Sequence, residues 1–347
     1  MAFERLAGAL AVFGLTAAVA IGLWKTGGTG GPTRALMPRR IEAVMGTDGM
    51  MVAVIQPAEH GAADLALREA EDLLRNLESR MSVWIDRSEL SRLNHAPGGR
   101  EVPLSECTLA VLEAARRAWD ETGGAFDVTC RPQIELWGRA AKSGSAPPAA
   151  ALDDARNAST WQQVQLTDRG AVKQVATVQF DLGGIAKGYA IDRAIELLMQ
   201  QGWDGGLVNL GGDIRCFGAT PTGEPWTIDV QNPFGEGRLG FLVATDVAVC
   251  TSGNYRRHVE VEGRRHSHIL DPRTGHPTEA ACAVTVIAPD AVTADIWATA
   301  LSVLGPDGID KLPPGVDALV VDGDAASHRL LMTDGFWRRF QAAGQAQ

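Results

Sequence analysis

Apolar residues recur at every third or fourth position in four segments of this chain, which is the spacing of one helix face. Residues 63–81 show the pattern most clearly, with charged residues on the opposite face. The other three segments are residues 105–122, 185–201 and 293–304. We expect each segment to form a helix that packs one face against a core.

Shorter apolar or alternating runs predict strands. Residues 41–55 contain two such runs, separated near Gly46 and Gly49. The remaining predicted strands are residues 163–166, 177–181, 206–210, 227–230, 239–244, 247–250, 256–261 and 283–288, and residues 142–148 are a predicted loop. Several strands follow one another without an intervening helix, which favours an α+β fold over a doubly wound sheet.

The N-terminal part of the chain has the composition of an export signal. Arg5 precedes an uncharged apolar stretch, residues 6–24, which Lys25 closes. A positive charge before an apolar stretch of this length is typical of segments that direct a protein across a membrane. We therefore expect residues 1–25 to be a signal or a membrane anchor and the protein to be exported to the periplasm.

Cleavage of that segment is left open by the sequence. Ala18 and Ala20 offer a small-x-small cleavage site, but 19 apolar residues are also enough to span a bilayer as an uncleaved inner-membrane anchor. Residues 26–38 are rich in glycine and proline and are a predicted flexible tether. One domain is expected to follow over residues 39–340, because no further linker interrupts it.

Composition and charge exclude several classes of protein. The chain has 347 residues, 45% hydrophobic and 21% charged, which is ordinary for a globular protein and excludes a wholly disordered chain. Lys and Arg number 32 against 42 Asp and Glu, so the net charge is −10. No run of Lys or Arg exceeds two residues, so we expect no binding to nucleic-acid phosphates. The five cysteines form no C-x-x-C pair, which argues against a zinc knuckle or a thioredoxin-like site.

The glycine-rich segment D-L-G-G-I-A-K-G-Y, residues 181–189, leads from a predicted strand into a predicted helix. Backbone amides at a helix start bind phosphate, because the helix dipole favours negative charge there. Lys187 adds a positive charge, and Asp181 can accept hydrogen bonds from a ligand. A tight strand-to-helix turn with a surface lysine explains the same residues. The spacing matches neither a Walker loop nor the G-x-G-x-x-G motif.

Other polar segments are compatible with turns or with chemistry. Residues 208–213, V-N-L-G-G-D, and 251–255, T-S-G-N-Y, are typical of bulges or turns. His268 stands three residues before D-P-R-T-G at residues 271–275, which is a good tight turn. Histidine exchanges a proton near neutral pH and serves as a general base, although a lone histidine is more often structural.

Asp295 and Thr299 are four residues apart in a predicted helix, so both side chains lie on one face. Carboxylate and hydroxyl oxygens are hard ligands of the kind that Mg²⁺ prefers, and Mg²⁺ often joins a protein to the phosphates of its substrate. A polar start to an otherwise buried helix explains the same two residues.

Taken together, seven motifs resemble those of the ApbE-type FAD:protein FMN transferases, over residues 41–305. The motifs are M-G-T at 45–47, A-F-D at 125–127, D-L-G-G-I-A-K-G-Y at 181–189, V-N-L-G-G-D at 208–213, T-S-G-N-Y at 251–255, H-I-L-D-P-R-T-G at 268–275 and A-D-I-W-A-T at 294–299. Seven motifs in one order are far more specific than any one alone. The resemblance implies an ApbE-like α+β fold, with mixed, mostly antiparallel sheets packed with helices.

The resemblance also implies an activity. It is the Mg²⁺-dependent transfer of FMN from FAD, the substrate, to a Thr or Ser hydroxyl of an FMN-binding domain on a partner protein, with release of AMP. Partners expected from the family are flavoprotein subunits of sodium-translocating or electron-bifurcating respiratory redox complexes, and a membrane regulator of nitrous-oxide reduction. Family members are typically exported, in agreement with the N-terminal segment.

Site residues follow from the same resemblance. His268 falls at the position of the proposed general base, while Asp295, Thr299 and the backbone carbonyl near Gly184 are implied ligands of Mg²⁺. The residues implied to line FAD are Met45, Trp84, Ala125, Phe126, Asp127, Asp181, Lys187 and Ile269.

The chain departs from the family pattern at three positions. Trp84 stands where many relatives have Tyr or Phe, and Val128 stands where Pro is frequent. Ala298 stands where some relatives carry a second carboxylate, so we expect a metal site with one Asp.

Two other functions are weighed against the transferase: a module that binds FAD without turning it over, and a metal-dependent FAD pyrophosphatase that passes FMN to water.

Overall fold

The computed structural model describes residues 34–253 and 258–343. The predicted signal, residues 1–25, and most of the predicted tether therefore lie outside the described residues. Within the described part of the chain, no helix is long and apolar enough to cross a membrane. Helices and antiparallel sheets make up these residues, which confirms the α+β fold class.

Four helices confirm the sequence predictions, and four more were not predicted. In chain order the helices are α1 (His60–Met81), α2 (Glu89–His95), α3 (Glu106–Glu121), α4 (Arg131–Ser143), α5 (Ala149–Ala158), α6 (Ala186–Met199), α7 (Ala291–Leu304) and α8 (Asp334–Arg339). The predicted ones are α1, α3, α6 and α7. Of these, α1 buries the apolar face that its periodicity indicated.

Strands occur throughout the described residues. They are β1 (Ala35–Val44), β2 (Thr47–Ile55), β3 (Glu101–Pro103), β4 (Val164–Thr167), β5 (Gly170–Lys173), β6 (Gly205–Leu210), β7 (Asp213–Gly218), β8 (Trp226–Gln231), β9 (Arg238–Ala244), β10 (Ala248–Gly253), β11 (His258–Val261), β12 (Arg264–Ser267), β13 (Leu270–Asp271), β14 (His276–Pro277), β15 (Ala283–Ala288), β16 (Asp317–Gly323), β17 (His328–Met332) and β18 (Phe340–Ala342).

Eight strands form the main sheet, in the order β1-β2-β6-β7-β10-β15-β16-β17, and each neighbouring pair is antiparallel. Smaller sheets have the orders β18-β9-β8, β3-β5-β4, β11-β12 and β13-β14. The hairpins β1–β2 and β6–β7 lie side by side because β2 pairs with β6.

The main sheet is covered on both faces, which explains why every residue of its strands β6 and β15 is buried. In β15, Val284 and Val286 belong to the core formed with α1, α3, α6 and α7. Ala283 and Ile287 of the same strand belong to a second core on the opposite face, formed with β8 and β9. The helical layer therefore lies against one face of the sheet, and its helices α6 and α7 carry Lys187, Asp295 and Thr299 of the predicted site.

The predicted strand at residues 177–181 is wrong. Only Gln179 pairs there, in an isolated parallel bridge with Cys130. The backbone of Phe180 bonds instead to the side chain of Asn94, with Phe180 N donating to Asn94 Oδ1 at 2.7 Å. An apolar run identifies a buried segment, but it does not show whether a strand or a side chain satisfies the backbone.

Other boundaries also differ. Residues 35–38 were assigned to the tether but belong to β1, where Ala35 pairs with Ile55. The predicted loop at residues 142–148 begins two residues later, because α4 continues to Ser143. Helix α5 was not predicted, and none of its residues is buried. The predicted strand at residues 256–261 overlaps β11, and its first two residues lie outside the described residues.

Candidate active site

The predicted phosphate-binding turn leads directly into α6. Asp181 Oδ1 accepts a hydrogen bond from Gly183 N at 2.9 Å. The carbonyl of Leu182 accepts from Ile185 N at 3.1 Å and from Ala186 N at 2.9 Å. The turn is therefore closed by hydrogen bonds within its own segment, and the helix begins at Ala186.

The first turn of α6 lies against the face of α7 that carries the predicted metal ligands. Gly188 N donates a hydrogen bond to Asp295 Oδ2 at 3.0 Å. Gly184 lies beside Thr299, since a Cβ atom at Gly184 would be 3.2 Å from Thr299 Oγ1 and 3.1 Å from Phe126 Cε2. The structure thus brings the three predicted metal-site residues together, at the junction of two helices.

Helix α7 is anchored at its start by a carboxylate on α6 that the sequence analysis did not single out. Asp192 accepts hydrogen bonds from Ala291 N at 2.8 Å and from Val292 N at 2.9 Å. These amides belong to the first turn of α7, where no intrahelical acceptor is available. Burial raises the pKa of the Asp192 carboxyl, while Arg215, 2.6 Å away, lowers it.

Lys187 joins two acidic groups from different elements. Its ammonium pairs with Asp213 Oδ2, at the start of β7, and lies 3.8 Å from Asp295 Oδ1. Asp213 also accepts a hydrogen bond from Thr251 N at 3.1 Å. Asp213 belongs to one of the seven family motifs, but its sequence pattern alone indicated only a bulge or turn. A carboxylate directly after paired glycines is visible in the sequence, but it is common in turns and does not indicate this pairing.

The A-F-D segment follows α3 and contacts the segment that carries His268. Ala125 shares a buried apolar cluster with Ile269 and with Val303 of α7. Asp127 is nearly buried, and its Oδ1 accepts hydrogen bonds from the N and Oγ1 of Thr129, both at 2.7 Å. Burial raises the pKa of the Asp127 carboxyl from its ordinary value of 3.8 to about 6.

The predicted general base lies in a short exposed connection between β12 and β13. The side chain of His268 is exposed, and the buried isoleucine that follows it anchors this connection against α7. Helix α4 supports the next turn, with Gln133 Nε2 donating to the Pro272 carbonyl at 3.0 Å and Trp137 Nε1 donating to the Gly275 carbonyl at 2.8 Å. Helix α4 was not predicted from the sequence, so these two hydrogen bonds to the turn were not anticipated either.

Two predicted FAD residues lie in other parts of the fold. Met45 is in the turn of the β1–β2 hairpin, and its N donates to Glu78 Oε1 at 2.8 Å. That hairpin touches the β6–β7 turn, because a Cβ atom at Gly211 would be 2.6 Å from Thr47 Oγ1. Trp84 follows α1 and is 88% exposed, so its ring is not packed against the other predicted residues in the described part of the chain.

The donor set at the α6–α7 junction suits a hard cation. A buried carboxylate, a hydroxyl and a backbone carbonyl are all oxygen ligands, and Mg²⁺ retains several waters, so it needs few protein ligands. Among the described residues there is no cluster of three or more His, Cys, Asp or Glu side chains that could hold a metal ion. With the Lys187 ammonium and a helix N-terminus beside it, this junction is suited to bind a diphosphate.

Comparisons with known proteins agree with the fold and with these motifs. The model of the ApbE family matches residues 45–320. A curated relative from Treponema pallidum, named FAD:protein FMN transferase, is 34% identical over 321 residues, which cover 86% of this chain and 88% of the relative.

Solved structures give the same result. The structure of flavinyl transferase ApbE from Pseudomonas stutzeri, in its apo form, superposes with a TM-score of 0.79 at 29% identity and covers 89% of this chain and 98% of the other. The flavin transferase ApbE from Vibrio cholerae superposes with a TM-score of 0.78 at 28% identity, over 88% of this chain and 99% of the other. Since the family model spans most of the chain and the solved structures share its fold, this protein belongs to the ApbE family.

Proposed function

We propose that this protein transfers FMN from FAD to a Thr or Ser hydroxyl of an FMN-binding domain on a partner protein, with Mg²⁺ as cofactor and AMP as leaving group. Its curated relatives carry the name FAD:protein FMN transferase, which supports the reaction class. The observation that carries the proposal is that Gly184, in the turn before α6, lies against Thr299 of α7, and that Gly188 of α6 bonds to Asp295 of α7.

This contact suits the chemistry of a diphosphate. The first turn of α6 presents a positive dipole end, which favours an anionic ligand, although the amides of Gly183, Ala186 and Gly188 are already bonded within the protein. The Lys187 ammonium adds a positive charge at the same turn. The Lys187 ammonium and the helix dipole would offset part of the charge of a diphosphate placed here, and such electrostatic stabilisation is the main way that enzymes accelerate phosphoryl transfer.

Asp295, Thr299 and the carbonyl of Gly184 would hold Mg²⁺ in this proposal. When bound, Mg²⁺ supplies a positive charge that offsets the negative charge developing on the phosphate oxygens. The chain's own contribution is to keep these ligands in place: Asp295 stays buried and bonded to Gly188 N, and Asp192 fixes the start of α7.

The transfer itself exchanges one P–O bond for another. The acceptor hydroxyl oxygen attacks the phosphorus of the FMN moiety, a P–O bond forms to the acceptor, and the bridging P–O bond to the AMP phosphate breaks. His268, exposed beside the Ile269 anchor, takes the hydroxyl proton. A single general base contributes about 10²–10⁴-fold in rate, so positioning and electrostatic stabilisation supply most of the rest.

The partner and the location are part of the same proposal. The exposed position of His268 allows a second protein to bring its hydroxyl to the site. Candidate acceptors are flavoprotein subunits of sodium-translocating or electron-bifurcating respiratory complexes and a membrane regulator of nitrous-oxide reduction. The apolar N-terminal stretch supports export to the periplasm, with membrane association if the stretch is retained.

The test is to incubate the protein with FAD, Mg²⁺ and a purified FMN-binding domain, and to image flavin fluorescence on the acceptor in a denaturing gel. We expect a fluorescent acceptor band and release of AMP. Free FMN with an unlabelled acceptor would instead indicate a pyrophosphatase, and unchanged FAD would indicate a binding module. Either result would contradict the proposal.

A matched pair of histidine variants tests the role of the base. His268→Ala should slow the transfer about 10²-fold or more with FAD affinity changed far less. The control is His60→Ala, which removes an exposed histidine at the start of α1 and should leave the rate unchanged. A large loss of FAD affinity with normal turnover in His268→Ala would contradict the base role.

A further inference from the structure

Lys173, at the end of β5, is a fully buried lysine outside the motifs of the family resemblance. Its ammonium donates to three backbone carbonyls: Asn94 O at 2.7 Å, Val178 O at 2.8 Å and Ala176 O at 3.2 Å. An ammonium has three N–H groups, so these contacts use its full donor capacity.

Burying a lysine in this way costs free energy, so its presence here calls for a structural reason. Lysine is almost never fully buried unless it is paired, and no acidic side chain is its partner in the described part of the chain. Burial lowers the pKa of the Lys173 ammonium from 10.5 to about 8. A short apolar side chain would avoid this cost but could not donate hydrogen bonds. We therefore expect the hydrogen bonds of the Lys173 ammonium to be the reason for its burial.

The carbonyls that Lys173 binds belong to backbone without regular structure. Val178 and Ala176 lie in the connection between β5 and α6, and neither belongs to a strand. Their carbonyls therefore depend on side-chain donors. Lys173 supplies the donor that a neighbouring strand would otherwise supply.

Asn94, at the end of α2, completes the arrangement. Its side-chain amide donates to Phe180 O at 2.9 Å and accepts from Phe180 N at 2.7 Å. Its own backbone carbonyl accepts from Lys173. We call Lys173 and Asn94 the polar clamp, because together they hold the connection at Val178 and at Phe180.

The held connection runs straight into the candidate active site. Asp181 follows Phe180, and its N donates to the carbonyl of Val128 at 2.8 Å, next to the A-F-D segment. Gly184, which lies against Thr299, comes three residues later. Two groups of site residues therefore take their position from a backbone that the polar clamp fixes.

We infer that Lys173 and Asn94 are positioning residues, which set the place of the 181–184 turn and of the A-F-D segment for FAD. This inference rests on the proposed function, since it takes those segments as the FAD site. Neither residue touches FAD in this account. They act through the backbone between residues 176 and 181.

The test removes the ammonium and then returns it. Lys173→Ala should weaken FAD binding about tenfold or more, as measured by flavin fluorescence. The reason is that a small displacement of the groups that contact a ligand causes a large loss of affinity. The truncated atoms correspond to n-propylammonium, which should restore most of the FAD affinity. Tetramethylammonium has the same charge but no N–H donor and should restore none of it. The control is Lys311→Ala, an exposed lysine far from the turn in sequence, which should bind FAD as the wild type does.

Several outcomes would overturn the inference. They are FAD affinity of Lys173→Ala within about twofold of wild type, equal rescue by both cations, or a lower melting temperature with unchanged FAD affinity. If Lys173→Ala does not fold, Asn94→Ala carries the same expectation and the same contradiction. A wild-type protein that binds FAD without labelling an acceptor would contradict the proposed function while leaving this test intact.

Discussion

Gly188 N donates a hydrogen bond of 3.0 Å to the buried carboxylate of Asp295, and this bond joins the first turn of α6 to α7. Amides in the first turn of a helix have no intrahelical partner, so a carboxylate there is both an acceptor and a favourable charge. The two helices meet closely at this point, because a Cβ atom at Gly188 would lie 2.3 Å from the Ala291 carbonyl oxygen. The contact leaves room for glycine alone.

Gly188→Ala is therefore expected to force the two helices apart. The added methyl group meets backbone that cannot rotate away, so we expect a loss of about 3 kcal/mol in the free energy of unfolding. We also expect loss of Mg²⁺-dependent turnover. Urea denaturation and the FMN transfer assay measure the two effects.

The control for this variant is Gly138→Ala in α4, where a Cβ atom meets nothing within 4 Å. Alanine is the better helix former, so this change should raise stability by about 0.5–1 kcal/mol. A destabilisation of equal size in both variants would show that the α6–α7 contact is not the cause.

Asp295→Asn keeps the size of the side chain and an oxygen acceptor for Gly188 N but removes the charge. We expect a folded protein with a melting temperature near that of the wild type, because the hydrogen bond is retained. The Mg²⁺ concentration for half-maximal transfer should rise about 100-fold or more, since a carboxylate is the strongest of the proposed oxygen ligands. An unchanged Mg²⁺ titration would remove Asp295 from the metal site.

Asp127→Asn tests the raised carboxyl pKa. Burial moves the pKa of Asp127 from 3.8 to about 6, so between these values the folded protein binds more protons than the unfolded chain. Stability then falls as the pH rises through this window, and the loss persists above it. The Asn variant has no charge to bury and should lack this loss.

The comparison is made by urea unfolding of both proteins at pH 4.5 and 7.5. The variant should gain stability relative to wild type on going to pH 7.5, by at most about 3 kcal/mol. A difference that does not change with pH would mean that the carboxyl is not perturbed by burial.

Trp84→Ala separates ligand binding from stability. The Trp84 ring is 88% exposed, so its removal should change the free energy of unfolding by less than about 0.5 kcal/mol. Because the family resemblance implies that this ring lines FAD, affinity should fall about 3–10-fold, as expected for an aromatic contact, and unchanged affinity would contradict that role. Trp337→Ala, at a ring 62% exposed on α8, is the control and should leave FAD binding unchanged.

The local parts of this fold were predictable from sequence, because periodic apolar positions mark α1, α3, α6 and α7 directly. Contacts between distant segments were not. Gly188 and Asp295 are 107 positions apart, and no local pattern indicates that one bonds to the other. Only the family resemblance linked this region of α6 to Asp295, through the implied metal ligand at Gly184.

The burial of Lys173 could not be predicted from the sequence, for a different reason. A lysine at the end of a short strand has the appearance of a surface residue, and only the three-dimensional structure shows that it is fully buried. Asp213 was visible within its motif, but a carboxylate after Gly-Gly is so common in turns that its pairing with Lys187 could not be inferred.

The most direct measurement is a crystal structure of the protein soaked with FAD and Mn²⁺, with anomalous scattering used to locate the metal. The account predicts an anomalous peak among Gly184, Asp295 and Thr299, with the FAD diphosphate beside Lys187. A fully occupied metal and diphosphate elsewhere, with these four residues making no contact to either, would contradict it.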